Sequence, residues 1–294
     1  MTPFLHHPRT AGEARNRRWL DRSASFVWKQ FADGVGLRVF MIAPAGHRPE
    51  SKAPAVMFFH GGMWMLDYVS EFSSWALHLA SRGIVCFLPE YRTHARFDVK
   101  ADEIVQDGLD AWVWLHRNAE ALGVDPDCIT VAGSDAGGLM ALHTAMQPAK
   151  RRSWWKFFEK PVLPLMPAAV AIFRGVVDTE AREARQLNAK GLSGKSAVSL
   201  NPCDLFRPHL PPLFCAHGFE DPLLDCGMRE WFCDVWQKLG NKAEFVICPG
   251  VDHTLTNFEV NPTAFEKMLL AWETFMVEQQ LWPASAAEPT ALME

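Results

Sequence analysis

The chain has 294 residues, 49% of them hydrophobic, so it can bury a sizeable core. Its net charge is −5, with acids and bases spread along the chain, and it carries no basic stripe of the kind that grips nucleic acid. Seven cysteines, odd in number and without CxxC spacing, read as free thiols in a reducing compartment rather than as a disulfide framework or a metal site.

The N-terminal "MTPFLHHPRTAGEARNRRWL" has charges but no apolar core of the length a secretory signal requires. It reads as an arm, and its His6 and His7 are not expected to hold a metal. "SFVWKQFADGVGLRVFMIA" alternates and turns through Asp33-Gly34, which predicts a β-hairpin over Phe26 to Ile42. Ala55 to Phe59 is a continuous apolar run, the mark of a strand buried on both faces. A helix is expected around Phe72 to Arg82 and a second buried strand over Ile84 to Leu88. From Val99 to Leu122 the apolar residues fall at helical spacing, and Gly123 ends the stripe.

Cys128 to Ala132 reads as a strand, followed by a glycine-rich bend and a helix to about Met146. Farther on, "PLFCAH" and "AEFVIC" read as strands, with helices over Asp225 to Leu239 and Pro262 to Gln279. Strands alternating with helices imply a mostly parallel sheet covered on both faces, an α/β fold in one domain over 1–294. Residues 147–211 break this rhythm with "KRRSWWKFFEK" and the Pro-rich run Pro161 to Phe173. We read them as a helical lid over the carboxyl edge of the sheet, where such folds place their ligand crevice. The apolar run is shorter than the about 20 residues of a membrane span, so a soluble, cytoplasmic protein without stable membrane insertion is expected.

Three local patterns bear on chemistry. "FFHGGMW" ends a buried strand in His60-Gly61-Gly62, whose glycines let backbone N–H groups turn toward an oxyanion. "GSDAGG", Gly133 to Gly138, is a strand-to-helix bend sharp enough to need glycines. "HGFEDPLLD" puts Asp221 after one strand, and "PGVDHTLTNF" puts His253 after the next. The order is bend, acid, histidine, each at the end of its own expected strand.

In these segments the chain resembles the hormone-sensitive-lipase-type branch of the α/β hydrolases, in particular its small bacterial esterases. The resemblance runs from about Val35 to Phe275 and is weakest across 147–211. It implies Asp221 and His253 as the acid and base of a catalytic triad. It also implies the backbone amides of Gly62, Met63 and Ala136 as an oxyanion hole, with no cofactor and no metal. Two positions depart from the family pattern. The third place of its Gly-x-Ser-Ala-Gly-Gly bend holds Asp135, with Ser134 one residue early, and the third glycine after the histidine is Met63.

An aspartate at the bend leaves three readings open. Asp135 can attack saturated carbon and form an ester on itself, which His253, oriented by Asp221, helps water to hydrolyse, a dehalogenase-like route. Asp135 and His253 can instead work side by side as an acid–base pair in a lyase, isomerase or cyclase. Or the fold binds a ligand and turns nothing over. Ser134 is not expected to substitute as nucleophile, because only the tip of the bend faces the histidine.

The substrate pocket is assigned to His60, Gly61, Trp64, Ser134, Trp154 and Trp155. Its aromatic character suggests an apolar small-molecule substrate. The last helix and the hairpin leave a homodimer open.

Overall fold

A computed structural model describes residues 11–146, 166–181, 200–258 and 260–287. Eight strands form one sheet in the spatial order β1-β2-β4-β3-β5-β6-β7-β8. The hairpin β1 (Ala24–Gln30) and β2 (Gly36–Ile42) is antiparallel, and β2 joins β4 (Val85–Pro89) antiparallel. From there β3 (Ala53–Phe59), β5 (Val124–Ser134), β6 (Ala169–Phe173), β7 (Leu213–Gly218) and β8 (Ala243–Cys248) run parallel. The continuous apolar runs are the strands buried on both faces: nearly every residue of β3, β4, β6 and β7 is buried.

Two cores flank the sheet. On one face pack α3 (Ala101–Asn118), α4 (Asp135–Met146) and α5 (Cys226–Lys238), through Ile104, Trp112, Leu139, Phe232 and Trp236. On the other face lie α1 (Ala11–Arg22), α2 (Ser73–Ser81) and α6 (Pro262–Glu278), through Leu20, Trp75, Leu79, Met268 and Trp272. This is the expected α/β architecture. All seven cysteines are free. Among the described residues no helix is long and apolar enough to cross a membrane.

Two elements differ from expectation. The stretch read as an unbroken lid over 147–211 contains β6, a central strand of the sheet paired with β5 and β7. Its "AVAIF" is a five-residue apolar run fused to the Pro-rich "PVLPLMPA", and periodicity cannot separate a short buried strand from such a run. The remainder of the expected lid, 147–165 with Trp154 and Trp155 and 182–199, lies outside the described residues. The expected N-terminal arm contains α1, whose "AGEARNRRWLDR" carries four arginines and shows little apolar stripe. Leu20 is its fully buried anchor.

Candidate active site

The carboxyl ends of β3, β5, β7 and β8 bring the loops that follow them to one edge of the sheet. The first is the bend between β5 and α4. Asp135 sits at its tip with φ 48, in the left-handed region that L residues seldom adopt, aspartate and asparagine more readily than most. The close approach is possible only because the next turn has no side chains in the way. A Cβ on Gly137 would lie 2.0 Å from Phe59 O, and one on Gly133 would lie 2.2 Å from Gly137 O.

The second loop follows β3. Gly62, Met63 and Trp64 have consecutive positive φ values of 103, 51 and 59, which turns successive N–H groups to one side as a concave donor nest. The turn is closed by hydrogen bonds from Met65 N and Leu66 N to Gly62 O. His60 is buried and holds the base of the loop. Its Nδ1 lies 2.7 Å from Gly61 O, and Tyr91 stacks on its ring at 4.1 Å and donates to His60 O at 2.6 Å. Burial lowers the His60 pKa against the pull of Asp67, so the ring stays neutral and structural.

The two loops meet at Asp135. Gly62 N donates to Asp135 Oδ2 at 3.1 Å and Met63 N donates to the same oxygen at 2.8 Å. The nest therefore closes on the protein's own carboxylate. Ala136 N, expected as a third donor, makes no bond to it, and Asp135 Oδ1 makes no hydrogen bond among the described residues. Asp135 is 4% exposed.

The third loop follows β8. His253 Nδ1 lies 2.8 Å from Asp221 Oδ2, an acceptor, so Nδ1 carries a proton and donates to it. Asp221 also accepts from Leu223 N at 2.8 Å and Leu224 N at 3.2 Å. His217 Nε2 lies 2.9 Å from Leu224 O and 3.2 Å from Asp221 Oδ2; both are acceptors, so this nitrogen is protonated. Burial alone would raise the Asp221 pKa, but the donors from His217, His253 and Leu223 hold it far below the ordinary carboxylate range. His253 thus has an ionised carboxylate as its partner.

No hydrogen bond or ion pair within 4.0 Å joins Asp135 to His253 among the described residues. A side-by-side acid–base pair is one of the three readings that the sequence leaves open. The two backbone donors hold Oδ2 of the Asp135 carboxylate in the nest.

Ser134 is fully buried, and its Oγ donates into the Glu71 carboxylate at 2.8 Å, so its hydroxyl is committed to a contact within the protein. Trp64 is 2% exposed, with an indole N–H that has no partner among the described residues. A cavity of about 330 Å³ lined by Ala168, Pro212 and Lys242 lies at the amino ends of β6, β7 and β8, the edge opposite these loops, so it is not the active cleft. Glu71, Arg174, Thr256 and the contact of His217 with Asp221 are the parts of the site that sequence motifs do not announce.

Residues 56–257 match the family model of the alpha/beta hydrolase fold. The chain belongs to the α/β-hydrolase family. Among its relatives are an AB hydrolase superfamily protein of Schizosaccharomyces pombe and the ethyl acetate hydrolase of Pseudomonas putida. The first is 35% identical over 64% of this chain and 59% of that protein, the second 32% identical over 75% and 72%. The isoprenylcysteine alpha-carbonyl methylesterase of Arabidopsis thaliana is 25% identical over 68% of this chain and 50% of its own length. This α/β hydrolase thus spans less than two thirds of the first and third of these. The solved apo form of Thermogutta terrifontis esterase 2 superposes with a TM-score of 0.79, 27% identity, and coverage of 90% of this chain and 97% of that one. An esterase-like hydrolase scaffold is the common ground of these matches.

Proposed function

We propose that this α/β hydrolase hydrolyses an apolar small molecule at saturated carbon, with Asp135 as nucleophile through an ester formed on its own side chain. The observation that carries this is the anchoring of Asp135 Oδ2 by Gly62 N and Met63 N. In an ordinary ester hydrolase such donors await the substrate's carbonyl oxygen. Here a carboxylate oxygen already fills them, so the charge they stabilise is one that develops on Asp135 itself.

In the first step Asp135 Oδ1 attacks the carbon, a C–O bond forms, and the C–X bond breaks with X⁻ leaving. In the second step His253 Nε2 takes a proton from water as the oxygen adds to Asp135 Cγ, and the negative charge falls on Oδ2 between the two N–H groups. The adduct expels the alkoxide, which takes the proton back from His253. The carboxylic acid left on Asp135 then ionises. The balance is R–X + H₂O giving R–OH, H⁺ and X⁻.

The route needs water between His253 and the ester, and it is supported by the absence of any Asp135–His253 hydrogen bond or ion pair among the described residues. Halide suits X better than an opening epoxide, whose oxygen needs a proton donor. Of the two tyrosines, Tyr91 is already committed to His60 O.

Single turnover in heavy-oxygen water, with short chloro- and bromoalkanes as the panel, tests this. Label is expected in the peptide that contains Asp135, none in the first equivalent of alcohol, and no turnover in Asp135→Asn. Turnover that leaves Asp135 unlabelled would overturn the covalent route.

A further inference from the structure

The most heavily bonded carboxylate at this edge of the sheet is one that the proposed chemistry does not use. Glu71 lies in the single turn Val69–Phe72 ahead of α2, with its side chain 4% exposed. Its oxygens accept from Gly61 N at 2.6 Å, Ser134 Oγ at 2.8 Å, Thr256 Oγ1 at 3.0 Å and an Arg174 Nη at 2.6 Å. These donors come from four separate segments, and three flank the reacting groups. Gly61 precedes the nest amides, Ser134 precedes Asp135, and Thr256 lies three residues beyond His253. Arg174, at the end of β6 with φ 46, completes the circuit: its guanidinium also donates to the His253 carbonyl and, at 3.0 Å, to Thr256 Oγ1.

We infer that Glu71 is a positioning residue: one buried carboxylate, with Arg174 as its counter-charge, sets the oxyanion loop, the bend and the histidine turn relative to one another. The consequence for turnover rests on Asp135 being the nucleophile; the positioning itself does not. The spacing supports it. Gly61 and Ser134 approach so closely that a Cβ on Gly61 would lie 2.9 Å from Ser134 Oγ, and the carboxylate bridges both from behind. Accepting four donors requires Glu71 ionised. Burial opposes this, and the Arg174 charge, the Gly61 N–H and the Ser134 hydroxyl together outweigh it, so its pKa is lowered.

A plain structural ion pair would stabilise the fold without governing the site, and an experiment on the full chain separates the two. Glu71→Gln keeps the size and removes the charge. Glu71→Ala leaves a void that opens onto a cavity of about 170 Å³ lined by Tyr68, Ser74, Arg174 and Thr256, wide enough to admit acetate. We expect the amide resonances of Gly62 and Met63 and the ring signals of His253 to shift in both variants. We also expect acetate to restore them in Glu71→Ala while leaving the wild type unmoved.

On a substrate that labels Asp135, kcat should fall about 10²-fold, with KM changed less than about twofold. Unmoved amide and ring signals in a folded Glu71→Gln protein overturn the inference, even if Asp135 takes up label. Shifted signals together with an unlabelled Asp135 overturn the covalent route and leave the positioning role standing. If Glu71→Ala does not fold, Glu71→Gln alone decides.

Discussion

At the scale of single residues, the identity of residue 135 decides what the nest stabilises. A carboxylate is long enough to place one oxygen between Gly62 N and Met63 N while its other oxygen stays unbonded. A serine hydroxyl in its place is shorter, leaves those donors for a substrate carbonyl, and sits on a scaffold whose His253–Asp221 pair is already formed at 2.8 Å. Asp135→Ser is therefore expected to gain hydrolysis of short p-nitrophenyl esters, roughly 10²-fold or more above the wild type, since one such donor alone contributes about 10²–10³ in rate. A folded Asp135→Ser protein with no gain would show that nest and base do not converge on this residue. The glycine spacing and the chain order of Asp135, Asp221 and His253 made these residues legible in the sequence. Glu71 and Arg174 were not. A glutamate in "DYVSEF" looks like a solvated surface residue, and only the folded chain brings it under Gly61 and Ser134.

At the scale of elements, the bend works because α4 starts directly against the end of β3. Gly137 lies where a methyl group would lie 2.0 Å from Phe59 O and 2.4 Å from His60 O, both backbone atoms that cannot swing aside. Gly137→Ala should therefore push α4 off the sheet and disturb the His60–Met63 loop together. The expected cost is about 3 kcal/mol, the upper end for overpacking, read as a lower urea midpoint at unchanged m-value. A loss below about 1 kcal/mol would mean that the close approach is softer than the geometry implies. Legibility of the elements followed the same physics. β3 and β4 are short apolar runs bounded by turn residues, and α3 has a clean stripe, so all three stood out. β6 is just as apolar but is fused to a proline-rich run that erased its boundary. Its place is fixed by partners distant in sequence, with Ala169–Phe173 in register between Thr130–Ser134 and the Leu213 strand. α1 was hidden for the opposite reason: its charge leaves Leu20 as the buried anchor, and no period can be read from that.

At the scale of the whole molecule, the buried titratable groups on the two sides of the sheet set a common response to acid. His60 and His143 are buried, and desolvation lowers both pKa values from 6.5; for His143 the hydrogen bond to Leu200 O pulls the other way without prevailing. A lowered pKa means that the unfolded chain binds protons first, so stability is complete above pH 6.5 and is lost as pH falls toward the folded values. Asp221 and Glu71 have the same sign and act below their unfolded values of 3.8 and 4.5. Glu90 has the opposite sign. Burial raises its pKa, so its contribution is present below pH 4.5 and is lost as pH rises, which partly offsets the histidines just above that value. The folded protein should therefore show a flat stability from neutrality to about pH 8, above which the buried thiols with raised pKa values turn it down. On the acid side the decline should begin near pH 6.5, no steeper than about 1.4 kcal/mol per pH unit for each histidine. His116 shares this direction through its own burial. His143→Gln keeps an N–H donor for Leu200 O and removes one of three such groups, so the urea midpoints between about pH 5 and 6.5 should lose roughly a third of their slope. A slope unchanged in His143→Gln would assign the acid response to His60 and His116 instead.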